Sequence, residues 1–347
     1  MIDYNKNALD VFRLVATLQV FLGHIISHFL MTDPPFDAVY FVRGVPILFV
    51  LCGFLAAKSL EGKDTKRWWF SRAVRILPAF WACIIVNTVI ILIIYETKPT
   101  FLEAAVYGVT QFCGLNFYTG DWLRGYGTGV PNGVLWTIPV QIQFFILAPF
   151  IARFLKKKNN LLWSLGTVLG LTALSVLCEQ LSPYLPEIVS KLIGVTVLPY
   201  LYFLVLGMVG WYHRDAIIPF LRKYKWIVLV AYVGWKLMEI YLAFPHVLDG
   251  VLYNTVTTLL MGALIFAFAF SFNWRMKLDL TYGFYLYHMI FINILLHFGF
   301  VSLEPLWKGG LAVLGIAAAT VVCAYVSLRF VEKPIAARLL KPKRKDS

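Results

Sequence analysis

Along this chain polar residues are confined to short intervals between apolar runs of about 20 residues, the length that crosses a hydrocarbon core of about 30 Å. The pattern predicts ten such runs, near residues 8–30, 38–58, 76–95, 133–154, 161–181, 189–212, 226–244, 252–272, 281–303 and 308–330. None shows the period-two alternation of a barrel strand. The predicted fold is therefore all-α, a polytopic membrane helix bundle of about ten transmembrane helices forming a single domain over residues 1–347. One run differs from the others. The first, DVFRLVATLQVFLGHIISH, keeps Asp10, Arg13, Thr17, His24 and His28 among Leu, Val, Phe and Ile. At 100° per residue Arg13 and His24 point within about 20° of each other, and the other three within about 60°, so the polar groups form one stripe. Arg13 and His24 lie about 16 Å apart along the axis, roughly half the hydrocarbon thickness. A snorkelling Arg and a packed His would satisfy the cost of burial. An aligned set instead points to a protein interior or a watery cavity, where ionisable groups inside a membrane are normally functional.

Composition strengthens the membrane reading: of 347 residues, 60% are hydrophobic and 14% charged, with a mean hydropathy of +0.75. The first run has no small-residue cleavage site and reads as a retained helix, not a signal peptide. The formal net charge of +13 would suit nucleic acid, but the cations sit in short loops between runs, where topology explains them and nucleic acid is not needed. With the N-terminus in the cytoplasm, all of the 31 Lys and Arg except Arg43, Lys98, Arg124, Lys191, Lys236 and Lys308 fall on the inner side. That asymmetry predicts an even number of spans with both termini cytoplasmic; the expected location is the plasma (inner) membrane. The basic tail over residues 335–347 suits anionic lipid. The five cysteines have no C-x-x-C spacing, four lie in apolar runs, and no disulfide framework is expected. Nothing in the pattern speaks to oligomeric state.

Two loops carry candidate chemistry. In KSLEGKDTKRWWFSRAVR, Arg72 and Arg75 are three apart on one helical face, at the expected start of the third span, with Lys63, Lys66 and Arg67 beside them. A helix start disfavours cations, so the arrangement makes sense if an anion such as a phosphate binds there. The alternative is an inside-positive anchor with Trp68 and Trp69 at headgroup level. Residues 96–132 form the longest connection, on the outer face, and the apolar half from Phe101 to Tyr118 is expected to lie in the interface or dip back into it. The glycine-rich stretch Arg124–Gly133 lacks the G-K-[ST] of a phosphate loop and reads as a flexible turn.

Within the spans, Thr137 and Gln141 share a helical face beside Pro139, as interhelical glue or as the lining of a polar substrate path. Thr281, Tyr285 and His288 lie along one side of the ninth span, where a lone membrane His is commonly a packing residue. His24 and His28 at i, i+4 lack the glutamate of a zinc protease and an obvious third ligand, so no metal is expected. No G-x-S-x-G supports a hydrolase triad.

Taken together these pieces resemble the acyltransferase 3 family of integral membrane proteins, which move acyl groups, usually acetyl, onto surface carbohydrates. Arg13 and His24 stand at that family's R-x10-H spacing, and Phe49–Leu55 looks like its F-x-x-S-G-F. Arg72–Trp81 is similar to R-x-x-R-I-x-P-x-Y-W. Leu135–Phe144 matches L-W-S-L-S-x-E-x-Q-F, Tyr282–His288 resembles S-Y-x-x-Y-L-x-H, and Phe330–Pro334 the closing x-x-E-x-P. The resemblance implies a membrane O-acyltransferase with acyl-CoA, acetyl-CoA foremost, as donor substrate, no tightly bound cofactor, and an extracytoplasmic or lipid-linked carbohydrate as acceptor. On it, Arg72, Arg75, Lys66 and Arg67 hold the CoA phosphates, with Arg13 assisting His24. Cys52, Trp136, Thr137, Gln141, Gln143, Tyr285 and His288 line the acceptor side. His24 is either the general base or the transient carrier of the acyl group as acyl-imidazole, which would let the acyl group cross without CoA. Two departures stand out: Cys52 replaces the family's serine, and Gln141 replaces its glutamate in the fourth span, where an amide can neither take nor give a proton. Two other classes of function stay open: a structural or assembly factor in an envelope complex, and a transporter or flippase for a lipid-linked sugar, which would also want a polar stripe. Against the latter, no Gly/Pro-broken helix pair recurs in matching halves of the sequence.

Overall fold

A computed structural model describes residues 3–29, 39, 41–116, 118–241 and 250–340, and among these no strand occurs. The helices are α1 (Leu9–His28), α2 (Gly44–Leu60), α3 (Thr65–Ile94), α4 (Phe101–Phe112), α5 (Thr137–Lys158), α6 (Leu161–Leu181), α7 (Glu187–Gly194), α8 (Leu201–Tyr212), α9 (Arg214–Lys223), α10 (Lys225–Tyr241), α11 (Gly250–Ala269), α12 (Thr281–His297), α13 (Leu306–Ser327) and α14 (Lys333–Leu339). Every predicted span meets a helix. Six of these stretches are long and apolar enough to cross a membrane, and a seventh if the pair of segments around residues 187–212, bent by 46°, counts as one span. The protein is thus a helical, multi-pass membrane protein. Parts of three predicted spans (residues 30, 38 and 40, and 242–244) and residues 341–347 of the basic tail lie outside the described residues.

The chain forms two compact units interleaved in sequence. The first comprises Met1–Gln19, Phe41–Thr65 and Val140–Leu278, and the second Val20–Tyr40, Lys66–Pro139 and Asp279–Ser347.

In the first unit α2 and α8 cross at backbone contact. A Cβ on Gly53 would fall 1.8 Å from the Leu204 carbonyl oxygen, and one on Gly207 2.0 Å from that of Val50. Without a hydrophobic force between helices in lipid, such small-residue contacts supply the packing. The break between α7 and α8, flanked by Gly194 and Pro199, is held by Gln143. Its amide donates to the Val195 carbonyl (3.0 Å) and accepts from the Val197 N–H (3.0 Å), replacing bonds the interrupted helix cannot make. Two of the cations on the predicted outer side are accounted for here. Arg43 donates to Glu239 (2.9 Å) and to the Tyr253 hydroxyl (2.8 Å), and the buried Lys236 donates to the other Glu239 oxygen. Paired charges of this kind satisfy one another in the bundle and do not contest the inside-positive count.

In the second unit α12 packs on α13 through Gly283, where an added Cβ would meet that of Ala324 at 2.8 Å. Helix α4 opens with a capping box: Thr100 N–H and Oγ both donate to the Glu103 carboxylate (2.8 Å each), and the Glu103 N–H donates back to Thr100 Oγ (3.3 Å). These donors hold the Glu103 carboxyl below the usual range. Tyr107 and Gln111 of α4 are buried while Phe101, Leu102 and Val109 are exposed, the division expected of a helix lying in a membrane interface.

The stretch after α4 departs from the sequence expectation of a flexible turn. Trp122, Leu123 and Tyr126 are buried in an aromatic cluster with Tyr107 and Ile91, and burial pushes the Tyr126 phenol up. Asn293 of α12 donates to the carbonyls of Val130 and Pro131 (2.9 Å each) and accepts from the Thr128 N–H (3.0 Å). Asn87 of α3 donates to Pro131 as well (3.0 Å). Gly127 has φ +53°, and an added Cβ would lie 2.5 Å from Asn293 Oδ1. The glycine is there so that the backbone can lie directly on the asparagine.

Candidate active site

The second unit gathers three imidazoles. On α1 the i, i+4 spacing puts the rings of His24 and His28 in parallel, with centroids 5.6 Å apart and planes within 3°. Phe21, one turn earlier, packs edge-on against Phe284 (5.3 Å) and His288 (5.9 Å) of α12. That contact brings the His288 ring to 5.4 Å from His24. His24 and His28 are partly exposed, whereas His288 is completely buried.

The state of His288 follows from its partner. Nδ1 lies 3.2 Å from the Phe284 carbonyl oxygen, one turn back. A carbonyl only accepts, so Nδ1 carries a proton and Nε2 of the neutral ring is left with a bare lone pair. That Nε2 is buried and bonded to no described residue. An unsatisfied buried acceptor costs about 1–3 kcal/mol, so its presence asks for a reason.

Next to this cluster stand Tyr285 and Thr137, both buried. Thr137 Oγ1 donates to the Val134 carbonyl (3.0 Å), leaving its oxygen to accept from the Tyr285 hydroxyl (3.1 Å). The Tyr285 ring lies 6.1 Å from that of His288. Asn132 fixes the turn into this region by donating to the Leu286 carbonyl (2.9 Å) and accepting from the Val134 N–H (3.3 Å). Trp136, just before Thr137, is half-buried.

The basic residues Lys66, Arg67, Arg72 and Arg75 also belong to the second unit, all on α3. Because α3 begins at Thr65, Arg72 and Arg75 sit two turns inside it, and the helix-start argument for an anion there does not hold: the dipole acts only over the first turn. Lys66 and Arg67 occupy that first turn instead. Arg72 lies over the buried Trp68 ring (5.5 Å), while Arg75, Lys66 and Arg67 are exposed. Arg72 and Arg75, about 60° apart around the axis, share one side of α3, while Lys66 points to the other.

The other sequence-predicted residues fall in the first unit. Arg13 is ion-paired with Asp10 at 2.5 Å, and the second Asp10 oxygen accepts from the Met276 N–H at 3.3 Å. Cys52 is half-buried beside the Gly53 crossing. Gln141 is half-buried, and the amide of Gln143 is spent on the break between α7 and α8. The sequence pattern puts Tyr285 and His288 on one side of a span, but only the fold brings His24 to His288 and Thr137 to Tyr285, and His28, Asn132 and Asn293 had no role in that pattern. Among the described residues no group of three His, Cys, Asp or Glu is placed to hold a metal ion.

Long apolar helices with imidazoles clustered among them define the class, a multi-pass membrane protein with chemistry-bearing groups inside one of its compact units. The chain belongs to the acyltransferase 3 family and is a membrane acyltransferase: that family's model, described as an acyltransferase domain, matches residues 6–329. Among curated proteins it is similar to nodulation protein 10 of Rhizobium leguminosarum bv. viciae, at 24% identity over 95% of this chain and 93% of that protein. It is also similar to the peptidoglycan O-acetyltransferase OatA of Listeria monocytogenes, at 25% identity over 84% of this chain and 51% of that protein. No solved structure matches.

Proposed function

We propose that this protein is a plasma-membrane O-acyltransferase. It takes an acyl group, acetyl in the first instance, from cytoplasmic acyl-CoA and transfers it to a hydroxyl of an extracytoplasmic or lipid-linked carbohydrate. The observation that carries the reading is the position of His24, partly open on a membrane helix and flanked by His28 and His288. Family membership and the similarity to a peptidoglycan O-acetyltransferase support the reaction class. The inside-positive charge pattern supports ten spans with both termini in the cytoplasm.

In this reaction Arg72 and Arg75, with Lys66 and Arg67 at the approach, hold the CoA phosphates. A ring nitrogen of His24 takes the proton of the acceptor hydroxyl as its oxygen attacks the thioester carbonyl. The carbon–sulfur bond breaks, and the departing thiolate takes the proton back from the imidazolium. An ester and free CoA-SH are the products. Since Gln141 carries no titratable proton, imidazole chemistry has to suffice. Arg13, held by Asp10, contributes positive charge on the same helix.

A general base contributes typically about 10²–10⁴ in rate. Purified His24→Ala should therefore remain folded and membrane-inserted while losing release of free CoA from acetyl-CoA plus acceptor. Surface glycans from cells carrying that variant should lack the acyl increment by mass spectrometry. Wild-type acylation by His24→Ala overturns the proposal, and wild-type protein that never releases thiol points to a transporter.

A further inference from the structure

We infer that His288 is a positioning residue for His24, accepting the N–H that the base does not use and so fixing its tautomer and orientation. The inference rests on the proposed role of His24 and deepens it. An imidazole acting at one nitrogen needs its other nitrogen anchored, as a third group orients the base in nucleophilic triads. Among the described residues an unengaged acceptor belongs to the ring packed beside His24. Phe284 fixes the His288 proton on Nδ1, which leaves the buried Nε2 lone pair with no partner among the described residues.

Elimination leads to the same pair. The other rings around His288 are Phe21, Phe284 and Tyr285, of which the two phenylalanines have nothing to donate. The Tyr285 hydroxyl is engaged with Thr137. His28 stacks on His24 from its own helix. Among the described residues none of the three histidines hydrogen-bonds a carboxylate. Of the rings packed on His288, His24 is the one with an unused N–H to give. The two rings are not directly bonded here. At 5.4 Å between centroids, a turn of the His24 ring brings the nitrogens together, or one water spans them.

When His24 takes the acceptor's proton, the imidazolium keeps its original N–H, now a stronger donor to His288 Nε2. No net proton is lost or gained by His288 in the cycle. Its contribution is orientation and stabilisation of the charged intermediate.

The test compares full-length His288→Asn and His288→Gln with wild type in nanodiscs, following CoA release from acetyl-CoA against pH. Asn keeps a donor for the Phe284 carbonyl but removes the Nε2 lone pair. The rate should fall about 10- to 100-fold, with the pH profile of kcat/KM displaced. Gln reaches further, its amide oxygen standing in for Nε2, and should recover part of the loss. An Asn variant with wild-type rate and profile overturns the inference, as does equal loss in Asn and Gln with an unmoved profile. If Asn fails to fold, 15N-histidine NMR of the wild type decides. Nδ1–H on His288 with a hydrogen-bonded Nε2 supports the pair, and an Nε2–H tautomer overturns it. His24→Ala in the same series separates the two readings. Loss there with a wild-type His288→Asn removes only the positioning role, while activity in His24→Ala removes the base itself.

Discussion

Replacing Asn293 with Leu keeps the branching and heavy-atom count of the side chain but removes every polar contact it makes. Three hydrogen bonds to residues 128–131 disappear. Pro131 retains its bond from Asn87 and Val130 its bond from the Thr128 hydroxyl (3.2 Å), whereas the Thr128 N–H loses its acceptor. At about 0.5–1.5 kcal/mol net per bond, and about 1–3 kcal/mol for each buried group left unsatisfied, the segment should be loosened by about 3 kcal/mol or more. A tenfold change in an equilibrium corresponds to about 1.4 kcal/mol, so opening should rise at least about a hundredfold. Hydrogen exchange in nanodiscs reads this directly: the amide of Thr128 should be protected in wild type and lose that protection in Asn293→Leu. The segment leads through Asn132 into the turn that carries Thr137 to Tyr285, so CoA release should fall as well. Fast exchange of Thr128 in the wild type would refute the reasoning, because the stretch would then be the flexible turn its glycines suggest. Unchanged protection in the variant would refute it equally.

Two further outcomes are expected. Gly53→Ala and Gly207→Ala each drive a methyl into a backbone carbonyl of the opposing helix, at 1.8 and 2.0 Å. Each should lower the thermal midpoint by the equivalent of about 1–3 kcal/mol of overpacking or more, whereas Gly166→Ala, with open space around its Cβ position, should be neutral or stabilising. Equal midpoints for all three would remove the tight crossing of α2 and α8. The capping box of α4 should show a pH dependence: Glu103 is held below the ordinary carboxyl range by Thr100. Its contribution is therefore complete above the unfolded-state value and is lost as pH falls through the lower folded value. Exchange protection in the first turn of α4 should follow that course, and Glu103→Gln should flatten it.

What the sequence determined by itself is what short-range rules control. Run length and apolarity mark the long apolar helices because every backbone polar group in lipid must be satisfied within its own segment; the shorter α9 and α14 lie outside every run. Periodicity placed His24 and His28 on one face of α1, and Arg72 with Arg75 on one face of α3, since those relations hold within a turn or a few. The start of α3 escaped because Thr65–Arg75 is polar yet helical, and residue polarity marks a membrane boundary, not a helix boundary.

Tertiary structure decided the rest. His288 lies 264 positions from His24, and only the packing of Phe21 on Phe284 brings the rings together. Gln143 looked like a lining residue until its partners, the backbone at Val195 and Val197, showed it splinting a broken helix. The run Arg124–Gly133 has the composition of a loose turn, and its order comes from Asn293 and Asn87 on two distant helices. A side chain's role follows from which unsatisfied group it meets, and that group is supplied by whichever part of the chain packs against it.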